Sequence, residues 1–271
     1  MQLKRRTLLS GLAASAAVPF MSAAHAKQAD ADTKWDKETD VLVIGYGGAG
    51  ACAAIEAHDK GSKVLIIEKM AQPGGNTAIS SGGFMVPQDG PTALKYLTAT
   101  YDLANSEKDD ELLNTFCKEI MGVKDWMTGL KEGTELWVYG HAGFQNLPGW
   151  EVIDKYRVRG KKRSGDCLFD LYRYAVEEKR NIPVMLETPA VQLIQKDGQV
   201  VGAVAQNNGK NINIKANKAV ILTTGGYEFD PESLRTYAQG ENYHALGNPG
   251  NTGDGLRMAQ SMGARLWHMT A

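Results

Sequence analysis

Six consecutive residues, Gly45-Tyr46-Gly47-Gly48-Ala49-Gly50, carry the strongest chemical signal in the chain. Their spacing is G-x-G-x-x-G, and the surroundings are those the motif needs: an apolar run before it, an Ala-rich run after it, and an acidic residue, Glu68, 23 positions beyond Gly45. Each part has a physical task. Gly45 permits the tight turn, Gly47 lets the backbone come close to a pyrophosphate, and Gly50 lets the following helix pack against the strand. The N-terminus of the helix that follows supplies unpaired N–H groups and positive potential to the phosphates. Glu68 can accept hydrogen bonds from ribose hydroxyls, and its charge disfavours a 2′-phosphate. The bland alternative, a glycine-rich turn with an exposed glutamate, requires three independent conditions to coincide by chance. The fingerprint does not by itself distinguish a flavin from a nicotinamide dinucleotide.

Other residues with chemical potential are weaker. Arg157, Arg159, Lys161, Lys162 and Arg163 could steer a carboxylate, although a charge run beside Gly160 and Gly165 more often forms a solvated loop. His141, His244 and His268 stand singly, without metal-ligand spacing, so structural or surface roles are expected and no metal site is assigned. Trp126, Trp137, Trp150 and Trp267 read as core. Cys52, Cys117 and Cys167 are isolated, form neither a Cys-x-x-Cys nor a haem-attachment pattern, and read as small buried apolar residues. No catalytic acid or base can be assigned.

The elements that would position these residues follow an order. Val41 to Ile44 is a continuous apolar run, as a parallel strand covered on both faces requires. A helix is expected from Ala51 to Lys60, closed by Gly61, and a second strand from Lys63 to Ile67. Helical spacing recurs over residues 92–130 and from Leu168 to Lys179, with an irregular stretch at 134–165 between them. The text then changes to short strands: Val184 to Leu186, Val191 to Ile194, Val200 to Ala205, Ile212 to Ile214 and Ala219 to Leu222, with turns at Asp197-Gly198 and Asn208-Gly209. This is an α/β pattern.

The first 26 residues read as an address. Lys4, Arg5 and Arg6 precede an apolar run from Leu8 to Met21, and Ala24-His25-Ala26 forms a small-residue cleavage site. The run is too short to cross a bilayer, so no stable membrane span is expected once the leader is removed. The paired arginines resemble a twin-arginine signal, with an ordinary Sec signal that happens to hold two arginines as the alternative; either implies a periplasmic or extracytoplasmic destination. Cleavage after Ala26 would remove three positive charges and leave 27 basic against 31 acidic side chains over 245 residues. A mildly acidic body makes nucleic acid an unlikely partner and points to small molecules. Residues 27–39 read as a polar linker.

Beyond Glu68-Lys69 the chain has Gly74-Gly75-Asn76-Thr77, then Ser80-Ser81-Gly82-Gly83, Thr223-Thr224-Gly225-Gly226-Tyr227 and Asn251-Thr252-Gly253-Asp254-Gly255. Together with the first fingerprint, in this order, these motifs resemble the FAD-dependent flavoproteins of the fumarate reductase and succinate dehydrogenase type, a family that includes 3-ketosteroid dehydrogenases and urocanate reductase. The resemblance spans nearly all of residues 38–266. It implies a Rossmann-like FAD-binding fold of the glutathione-reductase type with an antiparallel β-meander layer over 184–222, occupying residues 40–271 with a helical insertion at about 90–180. It places FAD along Gly45, Gly47, Gly48, Ala49, Gly50, Glu68 and Lys69 at its pyrophosphate and adenosine end. Gly75, Asn76, Thr77, Ser81, Gly82 and Gly83 would run towards the flavin edge, Ala190 and Val191 would lie at the adenine, and Thr224, Gly225 and Asp254 near the flavin. Asp254 also precedes an apolar helix pattern and so reads equally as a helix cap.

The resemblance further implies hydride transfer between flavin N5 and a carbon–carbon bond beside a carbonyl or carboxylate of a small-molecule substrate. No haem motif is present, so a separate electron carrier is expected. In that family the substrate-binding and proton-delivering groups follow the region matching Gly253 to Gly263, in a capping domain. The chain is therefore expected to be the FAD-binding portion alone, with an inactive truncated remnant or a non-catalytic FAD-binding module as the alternative. A nicotinamide-dependent dehydrogenase is disfavoured by the Gly74 to Gly83 segment.

Overall fold

The computed structural model describes residues 26–30, 33–141, 143–238, 244–267 and 269. The leader expected at residues 1–26 lies outside them except for Ala26, as does His268.

The apolar run expected as a strand is the end of β2 (Lys37–Ile44), and Val64–Ile67 is β3, parallel to it and paired from Val41↔Val64 to Ile44↔Ile67. Alternation along these strands divides the core into two. Val41, Val43, Val64 and Ile66 face a cluster with Ala51, Ala54 and Ile55 of α1 (Gly48–Asp59) and Leu168, Phe169 and Leu171 of α6 (Ser164–Arg173). Leu42, Ile44, Leu65 and Ile67 face the opposite way, towards Ala203, Ala205 and Ile214 and towards Met258 of α8 (Asp254–Ser261). Because both faces are covered, these strands are apolar throughout rather than alternating.

The meander consists of β8 (Ala190–Lys196), β9 (Gln199–Asn207) and β10 (Lys210–Leu222), joined by turns at Asp197-Gly198 and Asn208-Gly209, where all four residues have positive φ. The two strands expected at 212–214 and 219–222 are one. The Ala-Asn-Lys interruption is absorbed by an irregularity between Ala216 and Ala219, not by a turn. The first half of β10 pairs antiparallel with β9, and the strand continues parallel to β2 as far as Leu222↔Ile44. With β1 (Lys27–Gln28) and β7 (Val184–Met185), the sheet runs β1-β8-β9-β10-β2-β3-β7.

Residues 27–39 are not simply a linker. Lys27 and Gln28 add to the sheet edge beside Ile194 and Gln195, and β2 already starts at Lys37, because the Ala29 and Asp36 amides find carbonyl partners at Gln195 and Asn213. The insertion is also not wholly helical. Between α2 (Gly75–Ile79) and α6 lie α3 (Gly90–Leu103), α4 (Asp110–Glu119) and α5 (Val123–Gly129), but also a three-stranded antiparallel sheet β4-β6-β5. Its strands are β4 (Phe84–Pro87), β5 (Leu136–His141) and β6 (Ile153–Val158). The stretch expected to be irregular thus supplies two strands, which hide in the sequence because the register slips between Val138 and Gly140 and breaks the period of two. Trp137 and Trp267 are exposed rather than core. Cys117 is buried, while Cys52 and Cys167 are half-buried.

Candidate functional site

Three parallel strands end at one level, at Ile44, Ile67 and Leu222, and all three residues line a single cleft of about 610 Å³. A crevice at the carboxyl ends of parallel strands is where open α/β sheets place their ligands.

The cleft floor is the glycine loop. Gly45 donates to the Ile67 carbonyl, Thr223 donates to the Ile44 carbonyl and Gly74 donates to the Tyr46 carbonyl, each at 2.8 Å. Gly45 has φ +107°, and a Cβ there would collide with the Thr223 carbonyl. Gly50 lies beneath the loop and does not line the cleft; a side chain on it would strike the Gly45 carbonyl. Its part is the close helix–strand approach expected of the third glycine. Tyr46, fully buried, anchors the loop by packing edge-on to Phe169 and donating to Glu177 at 3.1 Å. Burial, and the Glu177 carboxylate accepting its proton, push its phenol far above the ordinary tyrosine range.

The N-terminus of α1 opens onto the cleft. Its N-cap is Gly47, which offers no side-chain cap, and its first turn contains no acid. Gly48 N donates to Thr77 Oγ1 at 3.0 Å, and exposed Ala49 borders the cleft beside it. A helix start that its own sequence leaves uncapped retains N–H groups and positive potential for an anion.

Glu68 lies beside the loop, nearly buried, and both carboxylate oxygens are already engaged. Oε2 accepts from Tyr46 N at 2.7 Å and Oε1 from Met70 N at 2.8 Å. The residue therefore holds the loop as well as facing the cleft, and each oxygen keeps a further lone pair for a hydroxyl donor. Lys69 and Asp254 are ion-paired at 2.6 Å across the cleft. Asp254 does not cap α8: it is the first helical residue, after Gly253 in the left-handed conformation, and no side-chain cap is present. Instead its carboxylate collects the Lys69 ammonium, the Thr252 hydroxyl and Arg257, and Arg257 continues to Asp230 at 2.9 Å. Burial works against charge on Asp230, but Ser233, Arg257 and the nearby main-chain amides hold its carboxyl below the usual range.

The opposite wall is Gly75, Asn76 and Thr77 of α2. Asn76 donates to Glu228 at 2.8 Å and accepts from Asn248 N at 2.7 Å, while Asn251 donates to the same Glu228 oxygen at 2.6 Å. Burial opposes the Glu228 charge, yet the two amide donors outweigh it and lower its carboxyl. Thr224 and Gly225 border the cleft beyond β10, and Ala190 lines it from β8.

The structure thus gathers Gly45, Gly47, Gly48, Ala49, Glu68, Lys69, Gly75, Asn76, Thr77, Ala190, Thr224, Gly225 and Asp254 around one cleft. It does not bring Ser81, Gly82, Gly83 or Val191 to the lining. Gly82 is packed on the Ser164 backbone, Gly83 on the Tyr139 hydroxyl, and Val191 is an exposed residue on the side of β8 away from Ala190. Residues that sequence reasoning missed include Met70, Thr188 and Asn248 in the lining and Glu228 behind it. Thr188 is fully buried, bonded to Leu186 and Asn207, and follows Glu187 at φ +49°. No sequence pattern marks such a position.

A glycine floor that side chains would fill, an uncapped helix start and a buried carboxylate at the end of the second strand define a dinucleotide-binding α/β protein. The chain belongs to the FAD binding domain family, whose model matches residues 40–270. It is 31% identical over 241 residues to the fumarate reductase (cytochrome) of Shewanella frigidimarina, an alignment covering 85% of this chain and 41% of that protein. It is 32% identical over 246 residues to the urocanate reductase of Eggerthella lenta, covering 86% and 39%. Among solved structures, the 3-ketosteroid-Δ4-(5α)-dehydrogenase of Rhodococcus jostii RHA1 superposes with a TM-score of 0.75 at 25% identity, over 91% of this chain and 58% of that one. The chain spans about two-fifths of the length of these two reductases.

Proposed function

We propose that this chain forms the FAD-binding part of an exported flavoprotein oxidoreductase that moves a hydride to or from a carbon–carbon bond beside a carbonyl or carboxylate. The observation that carries this reading is the cleft at the carboxyl ends of β2, β3 and β10, with the α1 N-terminus, Glu68 and the Asn76–Thr77 wall converging on it. The names of the two reductases and the dehydrogenase supply the reaction class.

When bound, FAD supplies an isoalloxazine ring that accepts and releases hydride. The work of this chain is to hold and orient. The α1 amides and Gly47 take the pyrophosphate, Glu68 accepts from ribose hydroxyls, and Ala190 lies at the adenine end. Gly75, Asn76, Thr77, Thr224 and Gly225 guide the other half, and the Lys69–Asp254 ion pair ties the end of β3 to α8 across the cleft. Residues 1–26 act as a twin-arginine leader, residues 40–271 as the FAD-binding domain, and reducing equivalents pass through a separate carrier.

The test is the visible spectrum of the purified chain, which should retain yellow flavin. A dye-linked assay then follows fumarate, urocanate and a ketosteroid. A folded but colourless protein would defeat the cofactor assignment, whereas a yellow one that turns over none of the three would favour a binding module without catalysis.

A further inference from the structure

One carboxylate behind the cleft lining has no positive partner. Asp254 is held by Lys69 and Asp230 by Arg257, whereas Glu228 meets amides, and among the described residues no lysine or arginine acts on its charge. Its Oε1 accepts from Asn76 Nδ2 at 2.8 Å and from Asn251 Nδ2 at 2.6 Å. Its Oε2 lies against Gly226, where a side chain would strike it. Two donors on one oxygen favour the ionised carboxylate, so the charge persists at neutral pH in spite of burial.

This carboxylate fixes how two cleft side chains stand. The Asn76 carbonyl accepts from the main-chain N–H of Asn248 at 2.7 Å, so its NH2 group is the end that faces Glu228. Asn251 turns its NH2 group to the same oxygen, with its own carbonyl against Gly225. Asn76 and Asn251 both line the cleft, and each amide keeps one N–H for an acceptor there. The two N–H groups of an amide share one nitrogen, so an acceptor bonded to the remaining one would stand about 5 Å from Glu228 Oε1. At that range, with water displaced by a ligand, a fixed unit charge is strongly felt.

We propose that Glu228 is a positioning residue for the flavin: it aims the Asn76 and Asn251 amides at an acceptor edge of the ring and, as an uncompensated negative charge behind them, lowers the reduction potential of the bound cofactor. This rests on the flavoprotein reading above, and it names the group that sets the electron affinity of the site. Reduction adds negative charge to the ring, and a fixed carboxylate close by opposes it.

The experiment is a spectroscopic redox titration of the flavin-loaded full chain, with the FAD dissociation constant measured for the same variants. Glu228→Gln keeps an oxygen for the amides but not the charge. It should stay yellow, and its reduction equilibrium should move about tenfold towards the reduced form, which for a two-electron couple is about 30 mV upward. Glu228→Asp keeps the charge on a side chain too short to span both amides, so it should bind FAD several-fold more weakly with a potential close to the parent's. Glu228→Ala should change both quantities, and it carries the potential measurement if the glutamine variant does not fold. A clamp that is merely structural would alter stability and affinity and leave the potential where it was. An unchanged potential in the neutral variants therefore overturns the proposal, and tighter FAD binding alongside it would put the carboxylate beside the pyrophosphate instead. A colourless parent defeats the flavoprotein reading itself, and this inference with it.

Discussion

At Gly45 two constraints meet that no other residue can satisfy. The backbone is at φ +107°, and the space a Cβ would occupy is held by the Thr223 carbonyl at the end of the neighbouring strand. Left-handed strain costs on the order of 1–3 kcal/mol for a residue with a side chain, and here the clash is with main chain that cannot rotate away. Gly45→Ala should therefore lower the denaturation midpoint and abolish flavin retention together. Retained flavin with only the midpoint lowered would mean that the loop shape is not what the cofactor reads. At this scale the sequence was partly transparent. The roles of Gly45 and Gly50 follow from spacing alone because a turn and a close approach leave a glycine signature. Glu68 was visible as an acid at the right distance, but its grip on the Tyr46 and Met70 amides was not, since main-chain acceptance leaves no mark on residue type. Asp254 shows the same limit: a cap and an ion-pair partner look alike until the Lys69 side chain is seen across the cleft.

Among the elements, α1 is fastened at both ends by different chemistry. Its start faces the cleft, while Asp59 at its last turn is gripped by the Arg180 fork through Nε at 2.7 Å and a terminal nitrogen at 2.6 Å. Arg180 also donates to the Ala175 carbonyl, so the end of α1 is tied to the segment that leads into β7. The Arg180 hydrogen bonds hold the Asp59 carboxyl down to about 2, against an opposing effect of burial. A carboxylate lowered in the folded state stabilises fully above the ordinary aspartate range, near pH 4, and that contribution fades as the pH falls towards about 2. Solvent around Asp59 keeps the contribution small. Arg180→Gln should be less stable than the parent at neutral pH, with the gap narrowing below pH ~4. Chemical denaturation at a series of pH values measures it, and a constant gap would refute the linkage. Elements with one simple face or two buried faces were legible from pattern, as β2 and β3 show. Strands β5 and β6 were not, because β5 is mostly exposed and slips register at Tyr139, leaving neither alternation nor an apolar run to detect.

For the whole molecule, the cleft joins parts distant in sequence: the loop at 45–50, the α2 wall, the end of β10 and α8. A ligand there binds only the assembled chain, so FAD should stabilise it by mass action, by about 2.7 kcal/mol at a free concentration one hundred times the dissociation constant. Thermal unfolding across a range of FAD concentrations should show a rising midpoint, and a midpoint indifferent to FAD would contradict the assignment of the cleft. The order of elements along the chain could be read in advance, and so could the division into a βαβ start and a late meander. That the meander and the parallel sheet are one sheet could not, because the join at Ala216–Ala219 looks in sequence like a gap between strands.

That join ties local opening to global opening. Since β10 runs unbroken from the β9 hairpin to the cleft floor, the meander cannot peel away without pulling at Thr223 and Thr224. Amide protons at Ile212, in the meander, and at Ile221, beside the cleft, should therefore exchange with solvent in one cooperative step, not as two separate units. The strand makes the meander a mechanical partner of the glycine loop, so damage in the meander would register at the cleft without touching it.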